Sequence, residues 1–328
     1  MSPSPHTQGG EPRGAEAPRA NGPLLGAVAF TVLAWASAFV VIRSVGSEVD
    51  PGPLAAGRLL VGMVILWALQ ARRGWVAPNA AEWRRLLVYG IGWFGIYNVA
   101  LNAGEQHLDA GTSAMVVNVG PILIALLAAV LLGERLTRWL GLGTAIAFAG
   151  AVVIGLATRG SAQADVTGVA LCLAAAATYA VGVICQKQVL TRLPATQVTA
   201  VGCTIGAIAC LPFVPGLLDD LSSASTSADL AVLYLGIVPT ALAFSTWAYA
   251  LGRMDAGRLG VTTYLVPPVA ALGGWLFLDE IPPTLAFAGG ALCLLGVAVS
   301  RRAATPAAPT PQAGPPAPNT EPQPEVNR

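Results

Sequence analysis

Residues 109–150 read DAGTSAMVVNVGPILIALLAAVLLGERLTRWLGLGTAIAFAG, and the same pattern returns at residues 255–296 as DAGRLGVTTYLVPPVAALGGWLFLDEIPPTLAFAGGALCLLG. One offset of 146 residues aligns the two stretches, and it continues upstream from Gly90 to Gly236. The other aligned identities are Pro121 and Pro267, Leu132 and Leu278, Glu134 and Glu280, Gly143 and Gly289, and Gly150 and Gly296. The sequence therefore predicts that the chain contains two copies of one structural unit.

The composition around this repeat is typical of a membrane protein. The chain has 328 residues, of which 55% are hydrophobic and 11% charged, and its mean hydropathy is +0.65. A soluble protein of this size needs about a quarter of its residues charged to cover its surface. The net charge of +1 gives no reason to expect a nucleic-acid partner. The five cysteines all lie in apolar runs, and their spacing predicts neither a metal site nor a disulfide framework.

Ten apolar runs are long enough to cross a bilayer, which takes about 20 residues each. They cover residues 24–45, 53–69, 86–108, 110–132, 139–157, 167–185, 195–215, 230–251, 256–278 and 283–300. The predicted fold class is therefore an all-α integral membrane protein with ten transmembrane helices. The tails, residues 1–22 and 301–328, are rich in proline, alanine and glycine, and we predict that they are disordered.

The lysines and arginines predict the orientation of these helices, because basic residues concentrate on the cytoplasmic side of a membrane. With the N-terminus inside, all 18 of them lie on the cytoplasmic side except Arg43, Arg58 and Arg159. Both tails are then cytoplasmic. A missed or additional helix would destroy this alternation, so the span count and the charge pattern support each other.

The repeat predicts the domain organisation. Pro51 and Pro194 correspond at a slightly shorter offset of 143, so the repeat extends over five spans in each half. Five is odd, and the second copy therefore enters the membrane in the opposite orientation. The expected units are a first repeat at residues 23–158 and a second at residues 159–300. Inverted repeats of this kind are typical of secondary transporters, whose halves rock around a site near the midplane.

The residues of the repeat also resemble a known family. Gly120-Pro121, the run LLGERLT at residues 131–137 and the glycines up to Gly150 resemble the second half of an EamA domain. The run YLVPP at residues 264–268, followed by LDE at 278–280, resembles its second copy, with Asp279 where the first copy has Gly133. The resemblance implies the drug/metabolite transporter (DMT) superfamily, whose members export amino acids and related metabolites. It implies export of such compounds or drugs across the plasma membrane by alternating access.

Polar residues inside the spans are the first candidates for a functional site. Asn98, Asn102 and Glu105 lie on one face of the third span, and side chains of this kind are costly in lipid unless they face a cavity or a partner. Glu105 also lies near the external end, where water would reach it. Arg58, in the second span, could couple or pair with Glu105 or with a substrate carboxylate. An arginine at this depth can also snorkel to the headgroups, and a snorkelling or ion-pair role is preferred.

Aromatic and hydroxyl side chains complete the predicted substrate cavity, because they supply apolar walls with hydrogen-bonding groups. The predicted cavity residues are Trp35, Ser37, Tyr97, Asn98, Asn102, Asn118, Tyr179, Trp247, Tyr249, Thr263 and Tyr264. Five tryptophans nearer the ends of spans are interpreted as interface anchors. They are Trp67, Trp75, Trp83, Trp93 and Trp139.

Prolines interrupt the fourth and ninth spans at matching places, Pro121 in one half and Pro267-Pro268 in the other. Paired interruptions favour a hinge beside the binding site, although a static kink is an equal alternative. Residues 90–95, GIGWFG, match a dinucleotide-binding pattern but lie inside an unbroken apolar run, so we interpret these glycines as helix-packing residues.

These patterns predict a transporter with a small-molecule substrate, no cofactor and no metal. The bilayer is its expected surroundings, and a homodimer is left open. A membrane-embedded enzyme is the alternative function. It is disfavoured because no span carries a cluster of catalytic residues. A passive channel or scaffold would not require interrupted helices at matching positions.

Overall fold

The structure is a computed structural model that describes residues 22–107, 116–158, 166–278, 284–300 and 302. Within these residues the regular secondary structure is helical, which confirms the all-α class. The predicted disordered tails lie outside the described residues except for Gly22 and Arg302. The helices of the first half are α1 (Gly22–Val45), α2 (Pro51–Gln70), α3 (Ala80–Tyr89), π1 (Gly90–Ile96), α4 (Tyr97–His107), α5 (Gly120–Leu132) and α6 (Arg138–Thr158).

The second half continues with helices of the same kind. They are α7 (Val166–Val189), α8 (Ala195–Ala209), α9 (Val214–Ser223), α10 (Thr226–Leu235), π2 (Gly236–Leu242), α11 (Ala243–Leu251), α12 (Ala256–Thr262), α13 (Val266–Leu278) and α14 (Thr284–Ser300). Short 3₁₀ turns at Leu211–Phe213 and Thr263–Leu265 lead into α9 and α13.

Six of the described helical segments are long and apolar enough to cross a membrane. They are Gly22–Val45, Pro51–Gln70, Ala80–His107, Val166–Val189, Thr226–Leu251 and Ala256–Phe277. A bent pair, Ala195–Ala209 with Leu211–Ser223, would make a seventh, with an angle of 52° between its parts. Shorter apolar helices lie at Gly120–Leu132, Arg138–Val153 and Phe287–Ser300. The ten predicted runs each overlap one of these segments, while full spanning length is reached by six or seven of them.

Two long helices each contain a π-helical segment of seven residues, and the two segments are related by the sequence offset of 146. These are π1 and π2, which begin at Gly90 and Gly236. Each initial glycine lies against a helix of the other half. A Cβ atom at Gly90 would lie 2.7 Å from the carbonyl oxygen of Gly202, and one at Gly236 would lie 2.9 Å from that of Arg58. Only glycine permits this close approach, which fixes both π segments in the interior.

The last helix of each half packs against the other along glycines. A Cβ atom at Gly143 on α6 would lie 2.5 Å from the carbonyl oxygen of Gly296 on α14. One at Gly150 would lie 2.6 Å from the carbonyl oxygen of Gly289. Gly289 and Gly296 are the repeat equivalents of Gly143 and Gly150. Each glycine of one half therefore contacts the equivalent of the other glycine, as expected for two copies related by a two-fold axis. This pairing brings the backbones of α6 and α14 into direct contact.

Polar contacts between helix ends and loops join the two halves at both ends of the helices. At one end the Ser225 backbone N–H donates to Glu48 Oε2 over 2.8 Å, and the Asp50 N–H donates to Asp220 Oδ2 over 3.0 Å. The bonds from Ser225 hold the pKa of the Glu48 carboxyl below its usual range. At the other end Arg192 forms an ion pair with Glu82. Each of these contacts joins segments that the charge pattern assigns to the same side of the membrane.

The loop at residues 252–255 is held from both sides by charged residues. Both carboxylate oxygens of Glu134 accept backbone N–H groups at the start of α12, from Ala256 over 2.7 Å and from Gly257 over 3.0 Å. Lys187 Nζ donates to the carbonyl oxygens of Leu251 and Met254, over 2.6 and 2.7 Å, at the end of α11. The negative group therefore lies at a helix N-terminus and the positive group at a helix C-terminus, as the helix dipoles favour.

We expect the Glu134→Ala variant to open this loop. Loss of a capping acceptor costs about 1 kcal/mol, so cleavage by trypsin after Arg253 should become about fivefold faster. The measurement is limited proteolysis of the purified protein with mass-spectrometric identification of the cut. Glu134→Gln, which keeps one acceptor oxygen, should fall between, and Glu48→Ala at the opposite end should leave this cut unchanged. Equal cleavage of Glu134→Ala and the unaltered protein would contradict the capping role.

Candidate functional site

A cluster of aromatic rings occupies the interior between the two halves. Trp93 of π1 is at its centre, with its ring centroid 4.9 Å from those of Tyr179 on α7 and Phe244 on α11. Trp35 on α1 lies 5.0 Å from Trp247 on α11, which in turn lies 5.8 Å from Trp93. Four of these rings are buried, and Trp35 is half-buried. The cluster contains three predicted cavity residues, Trp35, Tyr179 and Trp247.

Trp93 was expected to anchor the chain at the membrane interface, and this prediction is wrong. Its side chain is 2% exposed and contacts five other aromatic rings. The helix begins at Ala80, six residues earlier than predicted, because Asn79 and Glu82 form a capping box. Trp93 therefore lies near the middle of a 28-residue helical segment. The Asn79–Glu82 pair was the signal in the sequence that would have placed it there.

The π segments explain how several polar side chains are positioned. A π turn is wider than an α turn and leaves carbonyl groups available to side chains. Asn98 Nδ2 donates to the carbonyl oxygen of Phe94 over 2.8 Å. In the second half, Thr240 Oγ1 donates to that of Leu235 over 2.7 Å, and Trp35 Nε1 donates to that of Pro239 over 3.2 Å. Asn98 thus bonds to its own helix, and Trp35 is oriented by π2.

Five buried polar atoms among the described residues have no hydrogen-bond partner, and four of them lie on predicted site residues. Trp247 Nε1 and Tyr179 Oη belong to the aromatic cluster. Asn102 Oδ1 and Glu105 Oε1 lie on α4, one turn apart. Tyr97, also on α4, connects the two groups, because its ring lies 6.1 Å from that of Tyr179. Together these residues make up the candidate site, which has an aromatic part and a polar part.

Arg58 belongs to the polar part, and the snorkelling expectation is wrong. The residue is 5% exposed, and its Nε atom donates to Thr240 Oγ1 over 3.1 Å. Arg58 and Glu105 lie within electrostatic range of each other. The described ion pairs do not include one between them, and a coupling or ion-pair role for the two residues stays a prediction. The sequence placed Arg58 near a membrane surface because it lies seven residues after Pro51, at the start of its helix. Its burial depends instead on contact with Thr240 of π2, which is 182 residues away.

Other predicted site residues lie apart from the aromatic rings. Ser37 shares a 2.8 Å hydrogen bond with Tyr234, on another face of α1. Tyr249 carries the guanidinium of Arg253 over its ring at 3.6 Å. The Tyr264 hydroxyl donates to the Asn118 carbonyl oxygen over 3.0 Å, which joins two repeat-equivalent positions.

Thr263 adjoins the aromatic cluster, because it lies beside Tyr179. The predicted hinge prolines follow breaks in the helices. Pro121 comes after a turn at residues 118–119, and Pro267-Pro268 come after the 3₁₀ turn Thr263–Leu265. Their role as hinges stays a prediction.

Two further interior residues, Phe244 and Gln186, were missed. Phe244 packs within the aromatic cluster, 4.4 Å from Phe94 between ring centroids. Gln186 is completely buried, and its Nε2 atom donates to the Tyr89 hydroxyl over 2.8 Å. Gln186 Oε1 is the fifth polar atom without a partner. Gln186 directly follows the predicted apolar run 167–185, so nothing in the sequence distinguished it from the two polar residues that come after it.

Comparison of the sequence with known proteins identifies the family to which it is similar. The model of the EamA-like transporter family matches residues 23–156 and again residues 166–302. A protein of Streptantibioticus cattleyicolor named "Probable terminal-alkyne amino-acid exporter" is 35% identical over 276 residues, which cover 84% of this chain and 92% of that protein. A "Probable amino-acid metabolite efflux pump" of Salmonella typhimurium is 28% identical, covering 82% of this chain and 91% of the pump.

The fold is similar to that of a protein of known crystal structure. The two superpose with a TM-score of 0.69 and 25% sequence identity. The similarity covers 86% of this chain and 97% of the other. The helical arrangement described above is thus shared over nearly the whole of that protein.

Proposed function

The chain belongs to the EamA-like transporter family, and from this membership we propose that it exports amino acids or closely related small metabolites across the plasma membrane. The observation that carries the proposal is the set of unpaired polar atoms on Trp247, Tyr179, Asn102 and Glu105 in the interior. Buried polar groups are costly when they are unpaired, and a small molecule that binds between the helices would satisfy them. Relatives named as an amino-acid exporter and an amino-acid metabolite efflux pump support this substrate class.

The proposed architecture is ten membrane-spanning helices in two inverted repeats, residues 23–158 and 159–300. The equal offset of π1 and π2 supports it, as do the two separate matches to the family model. The three shorter apolar helices would complete the ten spans if the residues that flank them lie in the membrane as well. The glycine contacts between α6 and α14 support a pseudo-two-fold axis between the halves.

The proposed topology has both termini in the cytoplasm. The basic residues support it, and the inter-loop hydrogen bonds agree with it at both ends. With this orientation the Glu134 and Lys187 contacts lie on the cytoplasmic side, and the Glu48 contact lies outside. Alternating access would then release one set of contacts while the other holds, with the chain bending beside Pro121, Pro267 and Pro268.

The membrane-embedded enzyme, the alternative from the sequence, is not favoured. The relatives named above are an exporter and an efflux pump rather than enzymes. The proposed partners are therefore a small-molecule substrate and the surrounding bilayer, and transport requires no cofactor in this proposal. The residues proposed to line the substrate path are those of the aromatic cluster, together with Tyr97, Asn102 and Thr263.

Uptake into inside-out membrane vesicles tests this function, because an exporter moves its substrate into such vesicles. The probes are radiolabelled amino acids, including L-phenylalanine, and L-propargylglycine as a terminal-alkyne amino acid. We expect vesicles with the protein to accumulate at least one of them above vesicles from cells without it, at verified membrane levels. If no amino acid accumulates above that control, the proposed function is wrong.

A further inference from the structure

Arg58 is a buried cation that has no ion-pair partner among the described residues. It is 5% exposed, and among the described residues its guanidinium makes one hydrogen bond, through Nε to Thr240. Thr240 is neutral, and its own hydroxyl hydrogen is donated to the Leu235 carbonyl oxygen. The two terminal nitrogens of Arg58 therefore present a fork of N–H donors, which is the geometry that binds a carboxylate through two hydrogen bonds.

Glu105 and Asn102 on α4 carry buried acceptor oxygens that need hydrogen-bond donors. Asn102 is held in place because its Nδ2 atom donates to the Pro51 carbonyl oxygen over 3.1 Å, at the start of the helix that carries Arg58. Its Oδ1 atom is buried and unpaired, and so is Glu105 Oε1. Two neighbouring acceptors, one of them on a carboxylate, match the donors of an ammonium group.

The two charges do not neutralise each other directly. Arg58 and Glu105 interact electrostatically but are not among the ion pairs of the described residues. Arg43, near the end of α1, also lies within electrostatic range of Glu105. Tyr97 lies within range of both Arg58 and Glu105, and its ring faces the aromatic cluster through Tyr179. The interior therefore places a cation, an anion and an aromatic ring within electrostatic range of one another.

We propose that this site recognises its substrate as a zwitterion, with the carboxylate on Arg58 and the ammonium group on Glu105 and Asn102. The apolar side chain of the substrate then lies against Tyr97, Tyr179 and Trp247. This assignment rests on the proposed function, and it adds which residue binds which group. Binding both charges at once satisfies every unpaired group of the polar part. A compound that lacks either charge leaves one buried ion without a partner, which costs more than the lost contact itself.

Competition in the vesicle assay tests the assignment group by group. The labelled substrate is L-phenylalanine, and the competitors are L-phenylalaninamide, which lacks the carboxylate, and 3-phenylpropionate, which lacks the ammonium group. A hydrogen bond to a charged group contributes about 1.5–3 kcal/mol, so each competitor should bind the unaltered protein about 10–100-fold more weakly than unlabelled phenylalanine. In Arg58→Gln the penalty on phenylalaninamide should disappear while that on 3-phenylpropionate remains. In Glu105→Gln the pattern should be reversed.

Arg84→Gln is one matched control, because Arg84 is exposed and lies outside the site. Asp229→Asn is the acidic control, since Asp229 is also exposed and lies outside the site, whereas Glu48 takes part in the contacts between the loops. Arg84→Gln and Asp229→Asn should keep both penalties. If Arg58→Gln does not reach the membrane, Arg58→Lys replaces it, and this variant should keep the carboxylate penalty because it keeps the charge. The assignment is wrong if the unaltered protein transports phenylalanine without either penalty, or if the two variants lose both penalties alike. Absence of amino-acid uptake by the unaltered protein would instead contradict the proposed function.

Discussion

The Gly143→Leu variant is expected to yield little folded protein. A Cβ atom at this position would lie 2.5 Å from the carbonyl oxygen of Gly296 and 2.5 Å from the backbone nitrogen of Ser300. The obstacle is backbone, so the clash is relieved only if α14 moves as a body away from α6. Overpacking a well-packed contact costs about 1–3 kcal/mol even where side chains can adjust. We therefore expect at least a roughly tenfold loss of monodisperse protein, equivalent to about 1.4 kcal/mol or more.

Gly141 provides a matched control two residues away on the same helix. A Cβ atom there would meet nothing within 4 Å. Gly141→Leu should therefore be recovered at least as well as the unaltered protein, since leucine favours a helix over glycine by roughly 1 kcal/mol. The measurement is size-exclusion chromatography of detergent extracts, followed through a fused fluorescent protein. Equal recovery of the Gly143 and Gly141 variants would show that the contact between α6 and α14 is not required for folding.

The second large effect is expected from Trp247→Phe, which should impair transport without harming stability. Trp247 Nε1 is buried and has no partner, so its removal costs the substrate-free protein no hydrogen bond. The phenylalanine ring preserves most of the packing against Trp35 and Trp93. If the substrate accepts a hydrogen bond from Nε1, its loss raises the apparent KM for phenylalanine by about tenfold, or roughly 1–1.5 kcal/mol.

The control for Trp247→Phe is the same substitution at Trp67. Trp67 is 38% exposed, lies outside the aromatic cluster, and its Nε1 atom donates to Thr204 over 2.8 Å. Its substitution should leave the KM unchanged. Initial uptake rates over a range of phenylalanine concentrations, together with thermal stability in detergent, separate the two effects. A normal KM in Trp247→Phe, or a large loss of thermal stability, would remove Trp247 Nε1 from the proposed site.

Apolar length made the helices predictable, but it could not reveal their internal geometry. A spanning helix is apolar on all sides, so neither period nor polarity distinguishes an α turn from the π turns at Gly90 and Gly236. Pro239 inside π2 removes a backbone donor and was a weak signal for irregular geometry. The breaks before Pro121 and Pro267 were easier to anticipate, because proline itself ends a run of helical hydrogen bonds.

The sequence identified which residues form the polar part of the site, but not what each of them does there. Asn98 and Asn102 belong to one polar stripe in the sequence, yet Asn98 bonds to its own helix while Asn102 Oδ1 is left without a partner. Arg58 looked shallow because its depth was counted from the end of its own helix. Its burial depends on contact with π2, and contacts between distant segments are not encoded in the spacing of either one.

The crossing of each π segment with the opposite half has a consequence for how a substrate is oriented. Arg58 and Gly202 hold equivalent places by their contacts, one position beyond the offset that relates Pro51 and Pro194. Each presents its carbonyl oxygen to the first glycine of the other half's π segment. A perfectly symmetric pair of halves would place an arginine at both positions and would hold a ligand equally well in two directions. With glycine at one of them, this positive charge lies on one side alone. A zwitterion therefore binds in the proposed site in one orientation only, and it keeps this orientation in every transport cycle.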